Sequence, residues 1–380
     1  MATARRLLVD PGGSGVFHCT SRCVRRAFLC GRDNYSGRDY EHRRGWIRDR
    51  LRELAGLYAV EIHSYSVMSN HVHVVVRTLP GRAAAWGQEE VARRWLRLFP
   101  GQSGLRAPGR PPLGVDEAVR ALCQDHEKLA RCRARLANLS WFMRSLNEPI
   151  ARRANREDEC TGHFWEGRFD CQRLEDAGAV LACMVYVDLN PVRAGLAETP
   201  EDSAFTSAQD RAVACRARRQ IERAPDQPSP EQARWIAGAR ATARRDAWLA
   251  PLGGGGSATG PDGVDRPGAA DGLRRDAPLR PPPSMSQLPT IDLERYLELL
   301  DWTGRQIRSD KRGSLSADLR PTLERLELDV ERWVANVEHF GGLFCRVAGT
   351  LRRLRAMAQA TGRAWLRGHA GARRLYAMAG

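Results

Sequence analysis

Lysine is nearly missing from this chain. Only Lys128 and Lys311 occur in 380 residues, so 58 of the 60 basic side chains are arginine. Against 45 acidic residues this leaves a net charge of +15 and a pI near 10.0. Part of the bias reflects GC-rich coding, but planar, permanently charged forks also suit phosphate, which makes nucleic acid the leading partner class. The ten cysteines include no C-x-x-C pair and are scattered as reduced thiols would be, which argues against a disulfide framework. No apolar run approaches the roughly 18–20 residues needed to span a bilayer, and MATARRLLVDPGG lacks the apolar segment of a secretory signal. A cytoplasmic, nucleoid-associated location without membrane attachment is therefore expected. The phosphate loop G-x-x-x-x-G-K-[ST] is also absent, so no nucleotide cofactor is expected. No internal repeat is found. With 42% hydrophobic residues the chain can fill at least one substantial core.

Hydropathy patterning concentrates in residues 16–210, while residues 225–289, with GGGGSATGPDG and PLRPPPS, read as a linker. Beyond Ile291 apolar residues return at helical spacing in IDLERYLELL, VERWVANVEHF and FCRVAGTLRRLRAMA, which predicts a small all-helical region. The boundaries expected are 1–211 for a first domain, 212–290 for a linker region and 291–380 for a helical accessory domain. A surface insertion at about 80–137 contains the soft stretch GQSGLRAPGRPPLG. Within the first domain, residues 16–23 are β-prone, and Ile47, Leu51, Leu54 and Tyr58 mark an amphipathic helix. Residues 60–68 and 71–77 predict two strands joined at Ser69-Asn70, the connection of an antiparallel hairpin. A further helix carries Leu139, Phe142, Met143, Leu146 and Ile150 on one side. Another runs from about 176 to 189 and stops where Asn190 precedes Pro191. Strands and helices in this order predict an α+β fold, an antiparallel sheet with helices on one face.

Two short patterns could carry chemistry. In His71-Val72-His73, alternation along a strand places both imidazoles on one face, with Val72, Val74 and Val76 on the other. Such a pair can hold one divalent ion, although an isolated His-x-His is more often a solvated strand face. Tyr186 and Asn190 lie four apart on a helix, so a phenol and an amide would project together. A tyrosine hydroxyl can attack phosphorus, and an amide oxygen can bind a hard cation such as Mg²⁺. A half-buried tyrosine with a helix-terminal asparagine is the commoner meaning of that spacing.

Taken in order, SVMSNHVHVVVR, GHFWEGRF and YVDLNPVRAGL closely resemble the HUH-type single-tyrosine transposases, in particular the REP-associated tyrosine transposases and related insertion-sequence enzymes. The resemblance covers about residues 16–211. It implies a ferredoxin-like HUH domain, His71 and His73 as paired metal ligands with Asn190 as the third, and Tyr186 as the nucleophile. It further implies a Mg²⁺- or Mn²⁺-dependent transposase, an endonuclease and strand transferase acting on single-stranded or hairpin DNA through a 5′-phosphotyrosine. A homodimer is implied as well. The long linker and helical C-terminal region depart from that compact family. A domesticated, non-cleaving nucleic-acid-binding regulator is the alternative, and a phosphoesterase using water as nucleophile is a third reading.

Arg22, Arg25, Arg26, Arg77 and Arg168 are expected to contact DNA phosphates. Phe164, Trp165 and Phe169 could stack on bases, but a core role is expected for at least two of them. Cys19, Cys23 and Cys30 with His18 match no zinc module well, and His63 is expected to be structural. No side chain is an obvious general base for Tyr186.

Overall fold

The computed structural model describes residues 13–24, 29–32, 37–100, 114–225, 229–253, 288–308 and 319–377. The chain opens with strand β1 (Gly15–Arg22), helix α1 (His42–Leu57) and strands β2 (Val60–Val67) and β3 (His71–Thr78). Helices α2 (Pro80–Ala85), α3 (Gln88–Leu98), α4 (Val115–Gln124), α5 (His126–Leu136) and α6 (Leu139–Glu157) precede β4 (Asp170–Leu174). Next come α7 (Ala177–Asp188), α8 (Asn190–Arg193), α9 (Ser207–Glu222), α10 (Pro230–Ala243) and α11 (Leu293–Ile307). The C-terminal elements are α12 (Arg320–Arg325), α13 (Trp333–Glu338), α14 (Phe340–Leu343), β5 (Val347–Ala348), α15 (Leu351–Ala360) and α16 (His369–Leu375). The strands form one sheet in the order β2-β3-β1-β4-β5, so the chain is a mixed α+β protein.

Two compact units divide these elements. The first comprises Met1–Glu61, Ser69–Val72 and Val76–Cys171. Its α1 buries Ile47, Leu51 and Leu54 of the predicted stripe together with Leu57, while the stripe's Tyr58 is buried at the helix cap, and α1 packs on α6, which buries Leu139, Phe142, Met143, Leu146 and Ile150. Asn138 starts α6 by accepting hydrogen bonds from the amides of Ser140 and Trp141. Pro149 sits inside that helix and cannot donate to the carbonyl of Ser145 one turn earlier. Arg50 Nε fills the gap, donating to Ser145 O at 3.0 Å, while the Ser145 hydroxyl meets Tyr58 Oη at 2.6 Å. The predicted insertion is helical on both sides of residues 101–113, which lie outside the described residues. Buried Val91, Trp95, Leu129 and Leu136 hold α3 and α5 together.

The second unit comprises Ile62–Met68, His73–Val75 and Gln172–Gly380. Helix α7 is its axis: every residue from Gly178 to Asp188 except Tyr186 is buried, as expected of a helix apolar all round. Asp176 caps it by accepting from Ala179 N at 2.9 Å. The C-terminal elements lie directly on this helix. A Cβ on Gly178 would stand 3.0 Å from the Tyr376 ring and 3.1 Å from Leu326 O, so the close approach requires glycine.

Two expectations need correction here. The region after residue 291 is not purely helical, because β5 pairs in parallel with β4, Val347 opposite Arg173 and Ala348 opposite Leu174. A two-residue strand has no periodicity to detect, and its partner lies far away in sequence. The stretch read as linker also contains α10, opened by Ser229 and Gln232 in a reciprocal capping box and packed on α9. Composition marked that segment as loop, but its capping and its contact with α9 make it helical.

Candidate active site

Strand β3 carries both histidines. Its residues from Val72 to Val76 are all buried, so the strand is covered on both faces, and His73 itself is only 5% exposed. His71 is half-buried and its Nδ1 lies 2.5 Å from Asn70 Oδ1. Because a carbonyl oxygen only accepts, this contact places the proton on Nδ1 and the lone pair on Nε2. Burial, helped by the nearby Arg22 charge, lowers the His71 pKa to about 4. The ring is therefore neutral near pH 7. His18 is likewise lowered to about 4, by full burial and then by His71.

Tyr186 is the half-buried exception on α7, and its ring meets the His73 ring edge-on at 5.8 Å. Phe340 of α14 lies 5.9 Å from the same ring, and a Cβ on Gly341 would stand only 2.8 Å from Tyr186 Oη. The C-terminal region thus forms one wall of the tyrosine site.

Helix α7 ends at Asp188 and is capped by Leu189, whose ψ of 0° leaves the helical range; Pro191 has no N–H to donate to the carbonyl of Val187 one turn earlier and so cannot extend the ladder. Asn190 then opens α8, so it follows a break and does not simply lie one turn along an unbroken helix. Its side chain is 8% exposed, and Oδ1 accepts from Arg193 Nη1 at 3.4 Å. The buried Nδ2 has no hydrogen-bond partner among the described residues. The Arg193 guanidinium carbon lies 4.8 Å from the Tyr186 ring centroid.

Between Tyr186 and Asn190, Asp188 is fully buried. It accepts from the Ser207 hydroxyl, from Ala208 N at 3.0 Å and from the Tyr296 hydroxyl at 2.6 Å. Burial raises its pKa to about 6, while these hydrogen bonds and the Arg211 charge act in the opposite direction. Asp188, Arg193, Phe340 and Gly341 were not singled out from the sequence. Asp188 was detectable as the lone acid of an apolar helix, whereas Phe340 and Gly341 carry no local signal.

Among the described residues, no group of three His, Cys, Asp or Glu side chains is placed to share a metal ion. A divalent ion here would need an amide donor or substrate oxygens in addition to imidazole. Within the second unit, the buried His73 and Asn190 carry side chains of those two donor types.

The other candidates separate clearly. Arg22 and Arg168 are exposed, and Arg168 has no ion pair among the described residues. Arg77 is engaged by Glu61 Oε2 at 3.5 Å, an intramolecular use that competes with phosphate. Arg25 and Arg26 lie outside the described residues. Phe164 and Phe169 are buried, and Trp165 donates from Nε1 to Asn147 O at 2.9 Å, so these aromatics serve the core. Cys19, Cys23 and Cys30 are buried, and burial pushes the Cys30 thiol up to about 12, which disfavours the thiolate a zinc site requires. His63 is buried, and its carbonyl accepts from Arg211 at 2.9 Å.

No family model matches the sequence, and no curated protein matches it. Among solved structures the chain is similar to a REP-associated tyrosine transposase bound to a REP hairpin. That likeness has 14% identity over 56% of this chain and 86% of the other, with a TM-score of 0.33, and is a distant one.

Proposed function

We propose that the chain is a metal-dependent endonuclease and strand transferase, a tyrosine transposase, acting on single-stranded or hairpin DNA. The observation that carries this reading is the meeting of two separated sequence motifs: the ring of His73 packs against the ring of Tyr186 at 5.8 Å. They stand 113 positions apart in the chain, and neither motif by itself demands the other. The finer fold assignment, a ferredoxin-like HUH domain within residues 1–211 followed by an accessory region at 291–380, belongs to the same proposal.

In this reading Tyr186 Oη attacks the scissile phosphorus in line and the 3′ oxygen leaves. The phenolic proton passes to solvent, and the departing 3′ oxygen takes one from solvent. The product is a 5′-phosphotyrosine and a free 3′-hydroxyl, whose later attack releases the tyrosine without nucleotide hydrolysis. His71, His73 and Asn190 would hold a Mg²⁺ or Mn²⁺ ion, which when bound supplies Lewis-acid stabilisation of the phosphate charge. His73 and Phe340 pack against the Tyr186 ring, which limits its rotation and orients the hydroxyl. The exposed Arg22 and Arg168 contribute to backbone binding, as would Arg25 and Arg26. A homodimer and a cytoplasmic, nucleoid-associated location complete the proposal. No helix among the described residues is long and apolar enough to cross a membrane.

The approach of Gly341 and Phe340 to Tyr186 favours a second reading, a non-cleaving DNA-binding regulator. One experiment separates them. Purified full-length protein is incubated with end-labelled hairpin DNA from beside its gene, with Mg²⁺, Mn²⁺ or chelator. The transposase reading expects a metal-dependent, denaturation-resistant protein–DNA band that is absent in Tyr186→Phe. Salt-sensitive binding with no band on any flanking hairpin supports the regulator.

A further inference from the structure

Arg193 is half-buried, and its surroundings differ from those of the buried Arg43 and Arg211. Arg43 is met by two carboxylates, Glu157 and Asp158. Arg211 donates to the carbonyls of His63 and Ala250, each at 2.9 Å. Arg193 has no carboxylate partner among the described residues. Among the described residues its Nη1 reaches Asn190 Oδ1 at 3.4 Å and its guanidinium carbon lies 4.8 Å from the Tyr186 ring centroid, so its neighbours are residues of the candidate site; its buried Nε has no acceptor there, as is also true of Arg211 Nε.

A guanidinium stays charged at any pH the protein meets, so a buried N–H of this group without an acceptor is costly. Such a donor is satisfied when an anionic oxygen enters. Next to the phenol, the anion in question is a phosphodiester, whose non-bridging oxygens match a guanidinium fork.

We propose that Arg193 is a phosphate-binding residue of the Tyr186 site, donating to a non-bridging oxygen of the linkage that Tyr186 faces. This rests on the DNA-processing reading above, and it adds a cationic side chain at the linkage that Tyr186 faces. Nη1 remains on Asn190, so Arg193 also ties the amide to the bound phosphate.

The test uses full-length protein and single-stranded hairpin oligonucleotides in which one phosphate at a time is replaced by an uncharged methylphosphonate. Binding is measured in a Tyr186→Phe background, where covalent chemistry cannot interfere, and adduct formation is measured with Tyr186 present. Arg193→Ala is expected to weaken binding of the all-phosphate strand by about tenfold, typical of losing a charge-assisted hydrogen bond. At one position the methylphosphonate strand binds Arg193→Ala and its Arg193 parent equally, and Arg193→Lys recovers part of the loss. An equal loss on every strand, modified or not, would assign Arg193 a purely structural role and overturn the proposal. If the position-specific pattern appears in binding while no adduct forms with Tyr186 present, the phosphate contact stands and only the covalent reading fails. Thermal melting of Arg193→Ala and Arg193→Lys checks that both remain folded.

Discussion

The hydroxyl of Tyr296 donates to Asp188 Oδ2 at 2.6 Å, joining α11 to the segment between Tyr186 and Asn190. Both groups are fully buried, and Ser207 and Ala208 complete the set around the carboxylate. The C-terminal region is thus anchored at the base of the candidate site, within one compact unit.

Removing that hydroxyl leaves the buried Asp188 short of a donor. Tyr296→Phe is expected to lower stability by about 1.5–3 kcal/mol, the range for a hydrogen bond to a charged group. Urea denaturation measures the loss. A shift indistinguishable from zero would mean that Asp188 does not depend on Tyr296.

Gly341 sets the clearance of the tyrosine. A methyl group there would stand 2.8 Å from Tyr186 Oη, closer than carbon and oxygen pack, and relief requires the ring or α14 to move. Gly341→Ala is expected to reduce phosphotyrosine adduct formation by about tenfold or more, as misplacement of a reacting group by about 1 Å does, with little change in melting temperature. Gly178→Ala is the contrasting case. Its Cβ meets Leu326 O and the Tyr376 ring at 3.0–3.1 Å, so it is expected to cost about 1–3 kcal/mol of stability despite alanine's better helix propensity.

Tyr58 predicts a pH dependence at the alkaline end. Burial raises its pKa from 10.0 to about 12, and the Ser145 hydrogen bond and the charges of Arg50 and Arg144 only partly offset this. The folded state therefore holds the phenolic proton more tightly than the unfolded chain. The stabilisation is fully present below pH 10 and is lost as pH rises through 12, at about 1.4 kcal/mol per pH unit. The difference in stability between the native protein and Tyr58→Phe, measured in urea at pH 9 and pH 11, should shrink at the higher pH. A constant difference would contradict the burial argument. Arginine charges persist at these pH values, and with only two lysines few other cations titrate.

Arg43 is the buried ion-pair test. Its side chain is fully inaccessible, Nε lies 2.6 Å from Glu157 Oε2, and its guanidinium carbon sits 4.1 Å over the Tyr40 ring. Arg43→Ala strands two carboxylates and should destabilise by about 3–5 kcal/mol. Arg43→Lys should recover little, since an ammonium cannot serve both acids and the ring in one plane. Full recovery by lysine would show that charge alone matters there.

Chelation is the remaining check on the candidate site. The transposase reading expects EDTA to abolish adduct formation and excess Mn²⁺ to restore it. His73→Ala should lose adduct formation in both conditions, whereas an unaffected His73→Ala would remove that residue from the ligand set.

Much of the fold was legible from local pattern, because local pattern is what those elements depend on. Period-two valines gave β3, the Ile47, Leu51 and Leu54 stripe gave α1, and Asn190-Pro191 marked the end of α7 within one residue. The arginine-rich composition and the missing signals for membrane span, disulfide framework and phosphate loop were complete in the sequence. His71, His73, Tyr186 and Asn190 could be nominated there, since their residue types and spacings carry chemistry whatever surrounds them. Tertiary structure alone decided what surrounds them. Phe340 and Gly341 reach Tyr186 across more than 150 residues, and no local rule connects them. Strand β5 exists only because β4 offers it hydrogen bonds, as two residues cannot hold a strand by themselves. Arg193 looked like one arginine among 58, and its position against the Tyr186 ring with Nη1 on Asn190 Oδ1 is what distinguishes it. The sequence determined which groups could do chemistry, and long-range packing determined which of them meet, because desolvation and contact arise only when distant segments come together.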